Sequence, residues 1–156
     1  AIEGDKQYKK NGVDVLRYKN FAVRLNGTTD IAFEKLKVKD NKNIMELFPS
    51  IQFYDYTKNH KRMYKYLKNE LPSNYHLTFS RSETNDDVCM DILSKGGNVA
   101  IVFGVKNVND FPSTYNGFKV INGDETDLRF TDDNNVICGL VAKGKAKKDY
   151  SGFVLD

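Results

Sequence analysis

The stretch "GLVAKGKAKKD" (139–149) is the first candidate for chemistry, because it resembles a phosphate-binding P-loop. It reads G-x-x-x-x-G-K-A, whereas a P-loop has Ser or Thr after the lysine to help hold Mg²⁺. Here that position is Ala146, and the residues between the two glycines have the character of a strand rather than a loop. The sequence therefore predicts a buried strand that ends near Ala142, followed by a basic segment, and not a P-loop.

Lys143 and Lys145, at the end of that strand, have two interpretations. They are either solvated surface charges or contacts to an anionic ligand, because open α/β sheets bind ligands outside the carboxyl ends of their strands. The same rule draws attention to the polar residues at the other strand ends, although turns also favour such residues.

Two charged residues lie within strand-like apolar segments and need partners there. Arg24 lies in "FAVRLN" (21–26) next to Asn26, and we expect either a buried salt bridge or a ligand contact. Asp55 lies between two tyrosines in "FYDYTK", where a carboxylate is costly unless it is hydrogen-bonded or coordinated. Functional and structural roles are equally compatible with the sequence for Asp55 and for the nearby Lys58.

Carboxylates also cluster at two later strand ends. Glu83 precedes a predicted helix in "SRSETN", where capping is the favoured role of the neighbouring Thr84 and Asn85 but less so of Glu83. The segment "NGDETD" (122–127) is the richest carboxylate cluster. Its Asp124 and Asp127 could hold Mg²⁺ through oxygen ligands, but an ordinary acidic turn is the favoured interpretation.

The histidines and cysteines do not form a recognisable catalytic or metal-binding pattern. His76 lies in a predicted strand and favours a hydrogen-bonded structural role, and His60 is expected to be solvated. Cys89 and Cys138 are far apart in the sequence, without a C-x-x-C motif, so neither a zinc site nor a disulfide framework is indicated. A reducing compartment is consistent with this usage.

The elements that would position these residues alternate between strands and helices, which is typical of an α/β protein. β-branched and aromatic runs predict six strands, and apolar residues at helical spacing predict helices within 30–48, 59–71 and 84–97. We expect a mostly parallel sheet of about six strands that forms a partial or open barrel. The predicted strands are 21–26, 51–57, 75–80, 98–103, 118–122 and 136–142.

The length and composition indicate one domain over residues 21–156, with residues 1–20 as an extension or edge element. Residues 14–25 fit either a hairpin around Lys19 and Asn20 or a helix end that leads into a strand. With 24 basic and 21 acidic residues, the net charge of +3 gives no support to nucleic-acid binding on its own. The longest apolar run, "VAIVFGV", is too short to span a bilayer, so we expect no membrane association and a cytoplasmic location.

Six segments together resemble the C-terminal part of a family of uncharacterised bacteriophage proteins. The resemblance runs from about residue 21 to residue 156 and is carried by "RLNGTTDIAFEK", "FPSIQFYDYTK", "LPSNYHLTFSRSE", "NVAIVF", "VINGDETDLRF" and "GLVAKGKAKKDYSGFV". It implies a protein of the phage-infected host cell with a β/α barrel similar to that of radical S-adenosylmethionine proteins.

The chain departs from the family pattern at one point. In the family, a segment with several cysteines usually precedes the "RLNG" strand, and this sequence has no such segment. An iron–sulfur cluster needs thiolate ligands, and residues 1–20 contain no cysteine. The resemblance thus implies either a truncated copy or a member without cluster chemistry, and it leaves the cofactor undetermined. A barrel without its first strands would have open edges, which the 14–25 segment or a second subunit in a homo-oligomer could cover.

The sequence supports two functional hypotheses. The favoured one is a ligand-binding or catalytic α/β domain that holds a small anionic molecule, nucleotide derivatives included, at the carboxyl ends of its strands. Its ligand contacts would be Arg24, Asn26, Lys58, Arg129, Lys143 and Lys145, and its metal ligands or acid–base groups would be Asp55, Glu83 and Asp124.

The alternative hypothesis is a non-catalytic module that binds nucleic acid or a host protein. The run "NHKRMYKYLKNE" (59–70) interleaves basic residues with Tyr64 and Tyr66, which could contact phosphates and stack on bases. At helical spacing, packing of these tyrosines on the sheet is favoured. Because the strand-end clusters mix acids with bases, they suit a small polar ligand better than a uniformly negative polymer.

Overall fold

The structure of the chain, a computed structural model, describes the backbone of residues 2–10 and 13–155 and the side chains of residues 21–155. In these residues the α-helices are Ile44–Leu47 (α1), His60–Leu67 (α2) and Asp86–Ser94 (α3). The strands are Ile2–Lys10 (β1), Val13–Arg24 (β2), Gln52–Thr57 (β3), Tyr75–Ser80 (β4), Val99–Phe103 (β5), Thr114–Tyr115 (β6), Phe118–Asn122 (β7), Ile137–Val141 (β8) and Val154–Leu155 (β9).

The strands form one sheet in the order β1-β2-β3-β4-β5-β8-β7-β6. The six central strands pair in parallel, in the order β2, β3, β4, β5, β8 and β7. β1 pairs with β2 and β6 pairs with β7 as antiparallel edge strands. The six strands predicted from the sequence are these six parallel strands, so the α/β class and the mostly parallel sheet are confirmed. The expected number of strands was too low, because the prediction omitted β1 and the two-residue strands β6 and β9. The sheet is open and does not close into a barrel.

The sheet has a step between β4 and β5 that the C-terminal strand β9 fills. β4 pairs with β5 only through Phe79 with Val99 and Ser80 with Ala100. β5 therefore extends past the end of β4, and there its Val102 and Phe103 pair in parallel with β9. The C-terminus is thus built into the carboxyl edge of the sheet.

Alternation along the strands separates two faces of the sheet with different coverings. Phe53 and Asp55 of β3 point toward α2, whereas Tyr54 and Tyr56 point toward the connection between β7 and β8. The helix-covered face holds the apolar core, in which each fully buried side chain stabilises the fold by about 1.5–3 kcal/mol. This core includes Met45, Phe53, Met63, Leu77, Phe79, Ile92, Leu93 and Ile101.

Two expectations for local structure are corrected. The helix expected within 30–48 is reduced to a 3₁₀ turn at Phe33–Lys35 and the four residues of α1, because Asp40 and Asn41 adopt positive φ angles of 51° and 56° in a tight turn. Lys19 and Asn20 are not a hairpin turn, since they lie inside β2 and Asn20 pairs with Glu3 of β1. β1 ends at Lys10 and β2 begins at Val13, and residues 11 and 12 lie outside the described residues.

A buried polar network joins β2, β3 and β4 to α2. The Asp55 carboxylate, fully buried, accepts hydrogen bonds from the backbone N–H of Asn26 at 2.7 Å, from its side-chain amide at 2.9 Å and from the Tyr75 hydroxyl at 2.6 Å. Arg62 of α2 donates to the Tyr75 hydroxyl and forms ion pairs with Glu34 at 3.0 Å and Asp30 at 2.9 Å. The strand carboxylate is thereby hydrogen-bonded, as its burial requires.

The ionisation of this network follows from its contacts. Burial and the bond to Asp55 raise the pKa of Tyr75, so its hydroxyl keeps its proton. Burial disfavours the charge of Arg62, but its contacts to Glu34, Tyr75 and Asp30 outweigh burial and raise its pKa. The network is therefore a set of paired charges linked by a neutral tyrosine.

Removing the Tyr75 hydroxyl should destabilise the fold. We expect Tyr75→Phe to lower the free energy of unfolding by about 1–3 kcal/mol, because the substitution leaves Asp55 and Arg62 each with one buried bond unmade. Urea denaturation measures this loss. Tyr64→Phe is the matched control, since it removes a similar 2.6 Å bond to the partly exposed Asp91, and we expect a loss within about 0.5 kcal/mol. Equal losses in the two variants would contradict the importance of the network.

Candidate functional site

A cavity of about 540 Å³ lies toward the carboxyl ends of the parallel strands, on the face opposite α2 and α3. Its floor is made of small and apolar strand residues, Ala100, Val102 and Leu140. The walls come from the ends of β2 and β3 on one side and from the connection after β7 on the other. The location agrees with the rule that open α/β sheets bind ligands at this edge.

Basic and aromatic side chains form one wall of the cavity. The Arg24 guanidinium lies 4.8 Å from the centre of the Tyr56 ring and donates to Asp127 at 3.2 Å. The ammonium of Lys58 lies 5.2 Å from the centre of the Phe153 ring. Among the residues whose side chains are described, no carboxylate lies within ion-pair distance of Lys58. Within this described part of the chain, the ammonium of Lys58 thus lines the cavity without an ion pair.

The opposite wall is the acidic loop 123–127. It starts at Gly123, where a Cβ atom would lie 2.2 Å from Cys138 Sγ, so only glycine fits this close approach. It ends at Asp127, whose carboxylate accepts hydrogen bonds from Tyr54 at 3.2 Å, Tyr56 at 3.3 Å and Arg24. These contacts hold the loop against the sheet, with the exposed Glu125 also lining the cavity.

Asp124 is held in the ionised state. Its carboxylate accepts hydrogen bonds from the Val141 backbone N–H at 2.8 Å and from Lys143 at 2.5 Å. Burial raises the pKa of Asp124, but the bonds to Lys143 and Val141 outweigh burial and lower it overall. At neutral pH this group is an acceptor and not a general acid.

The C-terminal segment closes a third side of the cavity. Arg81 donates to the backbone carbonyls of Gly152 at 2.7 Å and Phe153 at 3.0 Å, and it binds Asp86 of α3 at 2.6 Å. Arg81 therefore clamps the segment before β9, and this places the Phe153 ring in the wall beside Lys58.

The structure brings together four of the predicted site residues. Arg24, Lys58 and Asp124 line the cavity, and Lys143 reaches it through Asp124. Reasoning from the sequence missed Tyr56, Arg81 and Phe153 as cavity residues, and it considered Asp127 as part of an ordinary acidic turn or as a metal ligand. Tyr56 and Arg81 lie at strand ends that the motifs mark, whereas the position of Phe153 depends on β9.

The remaining predicted residues lie elsewhere. Asp55 and Asn26 belong to the buried network on the helix-covered face, where their hydrogen bonds give them a structural role. Arg129 is fully buried and contacts Cys138, the Thr126 carbonyl and, at 3.3 Å, Asp132. Glu83 is exposed and does not line the cavity. Lys145 is exposed in the 3₁₀ segment Gly144–Lys148.

Two motif interpretations are resolved by these positions. Gly139 to Val141 lie in β8 and Lys145 lies in a 3₁₀ segment, so the P-loop-like stretch has no strand–loop–helix geometry, as the sequence predicts. Asp124 and Asp127 already accept protein donors, and no group of three or more His, Cys, Asp or Glu residues suited to a metal occurs within the described part of the chain.

Part of the basic run 59–70 in and around α2 packs against the rest of the protein. Arg62 is buried in the polar network, Tyr64 donates to Asp91 at 2.6 Å, and the Tyr66 hydroxyl lies 2.9 Å from Nδ1 of His76. Packing on the protein was the favoured interpretation of these tyrosines, and these contacts agree with it. Both tyrosines are half-buried by these contacts.

The fold and cavity define an open, mostly parallel α/β protein with a polar site at the carboxyl edge of its sheet. A family model described as gene product 88 matches residues 6–156, and the chain belongs to this family. The match confirms the expected membership of a bacteriophage-type family. No curated protein and no solved structure matches the chain. Among the described residues, no helix is long and apolar enough to cross a membrane.

The pH dependence of stability should report on His76. Burial, together with the nearby charge of Arg129, lowers the pKa of His76 from 6.5 to about 4. Between these values the unfolded chain binds a proton that the folded chain does not. This stabilisation is therefore complete above about pH 6.5 and is lost as the pH falls toward 4, by about 2–3 kcal/mol.

Urea denaturation of the wild type and His76→Gln at pH 7 and pH 4.5 tests this expectation. The difference in stability between the two proteins should shrink or reverse at the lower pH. His60→Gln, which replaces an exposed histidine, is the matched control. A pH-independent difference for His76→Gln would contradict the assignment.

Proposed function

We propose that this chain binds a small anionic ligand of the nucleotide-derived class in the cavity at the carboxyl edge of the sheet. The observation that carries the proposal is the position of Lys58. Its side chain lines a cavity with an apolar floor, and it has no carboxylate partner among the described side chains. The cavity volume of about 540 Å³ lies within the range of small-molecule sites.

The chemistry of the walls suits the separate parts of such a ligand. Lys58 and Arg24 offer positive charge to a phosphate or carboxylate group. Glu125 offers acceptors to hydroxyl or amino groups, and the Phe153 ring offers a surface for a planar group. A ligand that combines an anion, hydroxyl groups and a planar ring matches this distribution better than a polymer of uniform negative charge.

We assign Asp124 a structural role in positioning the acidic loop, and no role in proton transfer. Its lowered pKa keeps it a carboxylate, and its ion pair with Lys143 orders the edge of the acidic loop. The proposal is limited to binding, and Glu125 is an exposed carboxylate in the lining of the same cavity.

An iron–sulfur cluster does not fit the residues of this chain. The resemblance to radical S-adenosylmethionine barrels stays a prediction from the sequence, and its cluster would need three or more thiolate ligands. The chain has two cysteines, Cys89 in α3 and Cys138 in β8, both buried. Burial raises their pKa values, to about 12 for Cys89 and about 11 for Cys138, so neither is a ready thiolate. The proposed function therefore uses no step through such a cluster.

Binding of nucleotides can be measured by isothermal titration calorimetry with the four ribonucleoside 5′-monophosphates and the matching nucleosides. We expect at least one monophosphate to bind with a micromolar to millimolar Kd, and its nucleoside to bind at least about tenfold more weakly, because it lacks the anion. Lys58→Ala should weaken binding of the monophosphate by about tenfold or more.

Lys61→Ala is the matched control for Lys58→Ala, because Lys61 is exposed on α2 and does not line the cavity. It should leave the Kd unchanged. Equal affinity for nucleotide and nucleoside, or equal effects of the two lysine substitutions, would contradict the proposed role of the cavity.

A further inference from the structure

A second surface with a distinct chemistry lies beside β9, at the carboxyl ends of β5 and β8. It centres on the 3₁₀ segment Gly144–Lys148 and on the cavity of about 390 Å³ beneath it, which is lined in part by Lys106, Ala146 and Lys147. We name it the C-terminal basic surface and define it by Lys106, Lys143, Lys145, Lys147, Lys148 and Tyr150, all of which are exposed.

The local backbone separates the lysines from the interior. Gly144 adopts a φ of 55°, which turns the chain out of β8 and into the 3₁₀ segment. Ala146 is half-buried at the cavity, while Lys145 and Lys148, three residues apart, lie on one side of the segment. The geometry thus directs neighbouring ammonium groups outward from one short segment.

These charges are only slightly neutralised by the protein. Lys143 forms an ion pair with Asp124 at 2.5 Å. The other four lysines of this surface have no carboxylate at ion-pair distance among the described side chains. Asp149 follows the lysines, but its carboxylate accepts from the Ser151 hydroxyl at 2.8 Å and the Val154 N–H at 3.2 Å. The surface therefore keeps a concentrated positive charge although the whole chain carries only +3.

Tyr150 adds an aromatic group to this positive surface. Its side chain is 98% exposed, so the folded chain does not use its ring for packing. Lysines that can contact phosphates, next to an aromatic ring that is free to stack on a base, are the features with which proteins bind single-stranded nucleic acid. A duplex keeps its bases stacked inside and offers no free base to the ring.

We propose that the C-terminal basic surface binds single-stranded nucleic acid, with the lysines on the phosphates and Tyr150 stacked on a base. An anionic membrane is less compatible, because the chain neighbours of Tyr150 are Asp149 and Ser151, and Tyr150 is the one exposed large hydrophobic residue of segment 139–155 in the described part of the chain. Lys143 borders both sites through its ion pair with Asp124, but the other members of the C-terminal basic surface do not line the cavity beside Lys58, so the proposal does not depend on nucleotide binding there.

Fluorescence anisotropy with a labelled 20-nucleotide oligothymidylate, over a series of salt concentrations, tests the proposal. We expect binding whose logarithmic affinity falls linearly with the logarithm of the salt concentration. The triple variant K145Q/K147Q/K148Q should bind at least about tenfold more weakly at low salt and have a shallower slope, by up to about 2 for three lost phosphate contacts.

Two further variants separate charge from position and from stacking. K61Q/K65Q/K68Q removes the same charge from exposed lysines in and directly after α2 and should retain nearly wild-type affinity and slope. Tyr150→Ala should weaken binding at least about fivefold without changing the slope, and Tyr150→Phe should restore it, because the phenyl ring still stacks. Thermal unfolding verifies that these surface variants keep the fold.

Several outcomes would overturn the proposal. One is the absence of oligothymidylate binding at low salt, including the case in which the protein instead binds phosphatidylserine vesicles. Another is an equal loss of affinity in the two triple-lysine variants, which would indicate attraction by overall charge. A third is tight binding of a 20-base-pair duplex together with no effect of Tyr150→Ala.

Discussion

The buried carboxylate of Asp55 is the constraint on which the position of the candidate site depends. A carboxylate without hydrogen bonds at this depth would cost several kcal/mol, so the chain must bring donors to it. Those donors are Asn26 at the end of β2 and Tyr75 at the start of β4, and Tyr75 is in turn bonded to Arg62 of α2. Arg24 and Lys58 lie within three residues of this network, and the ends of their strands are fixed by it.

The second determinant of the site is the step in the sheet. Because β4 ends early beside β5, the edge of β5 is free to pair with β9, and Arg81 at the end of β4 holds the segment that leads into β9. The same arrangement places Phe153 in the cavity wall and turns the chain through the C-terminal basic surface. Both proposed binding surfaces therefore depend on how the C-terminal residues join the sheet.

Much of the fold could be predicted from local sequence patterns. The six parallel strands are apolar runs long enough to show their β character, and the helices α2 and α3 lie within segments of clear helical spacing. The patterns failed for strands of two residues, which are too short to show an alternation of their own. β9 exists through its pairing with β5, which is distant in the sequence, and β6 through its antiparallel pairing with the nearby β7.

The site was only partly predictable for a related reason. The rule for strand ends identified Arg24, Lys58, Asp124 and Lys143. It could not separate them from Asp55, because consecutive strand residues face opposite sides of the sheet and the sequence does not show which side is covered by helices. Asn26 lies beyond the end of β2, where its backbone N–H and side-chain amide donate to Asp55, and the strand pattern does not show this contact. Arg129 was misplaced for another reason: the connection between β7 and β8 folds back over the sheet and buries its guanidinium against Cys138.

The central claim is that the cavity beside Lys58 is the site of a small anionic ligand. A ¹H–¹⁵N correlation spectrum, recorded during titration with a ribonucleoside 5′-monophosphate, tests this claim most directly because it shows which backbone amides sense the ligand. The account predicts that the largest shifts occur at residues 123–127 and at Lys58, Arg81 and Phe153. Shifts confined to the 3₁₀ segment Gly144–Lys148, or a spectrum that does not change, would contradict it.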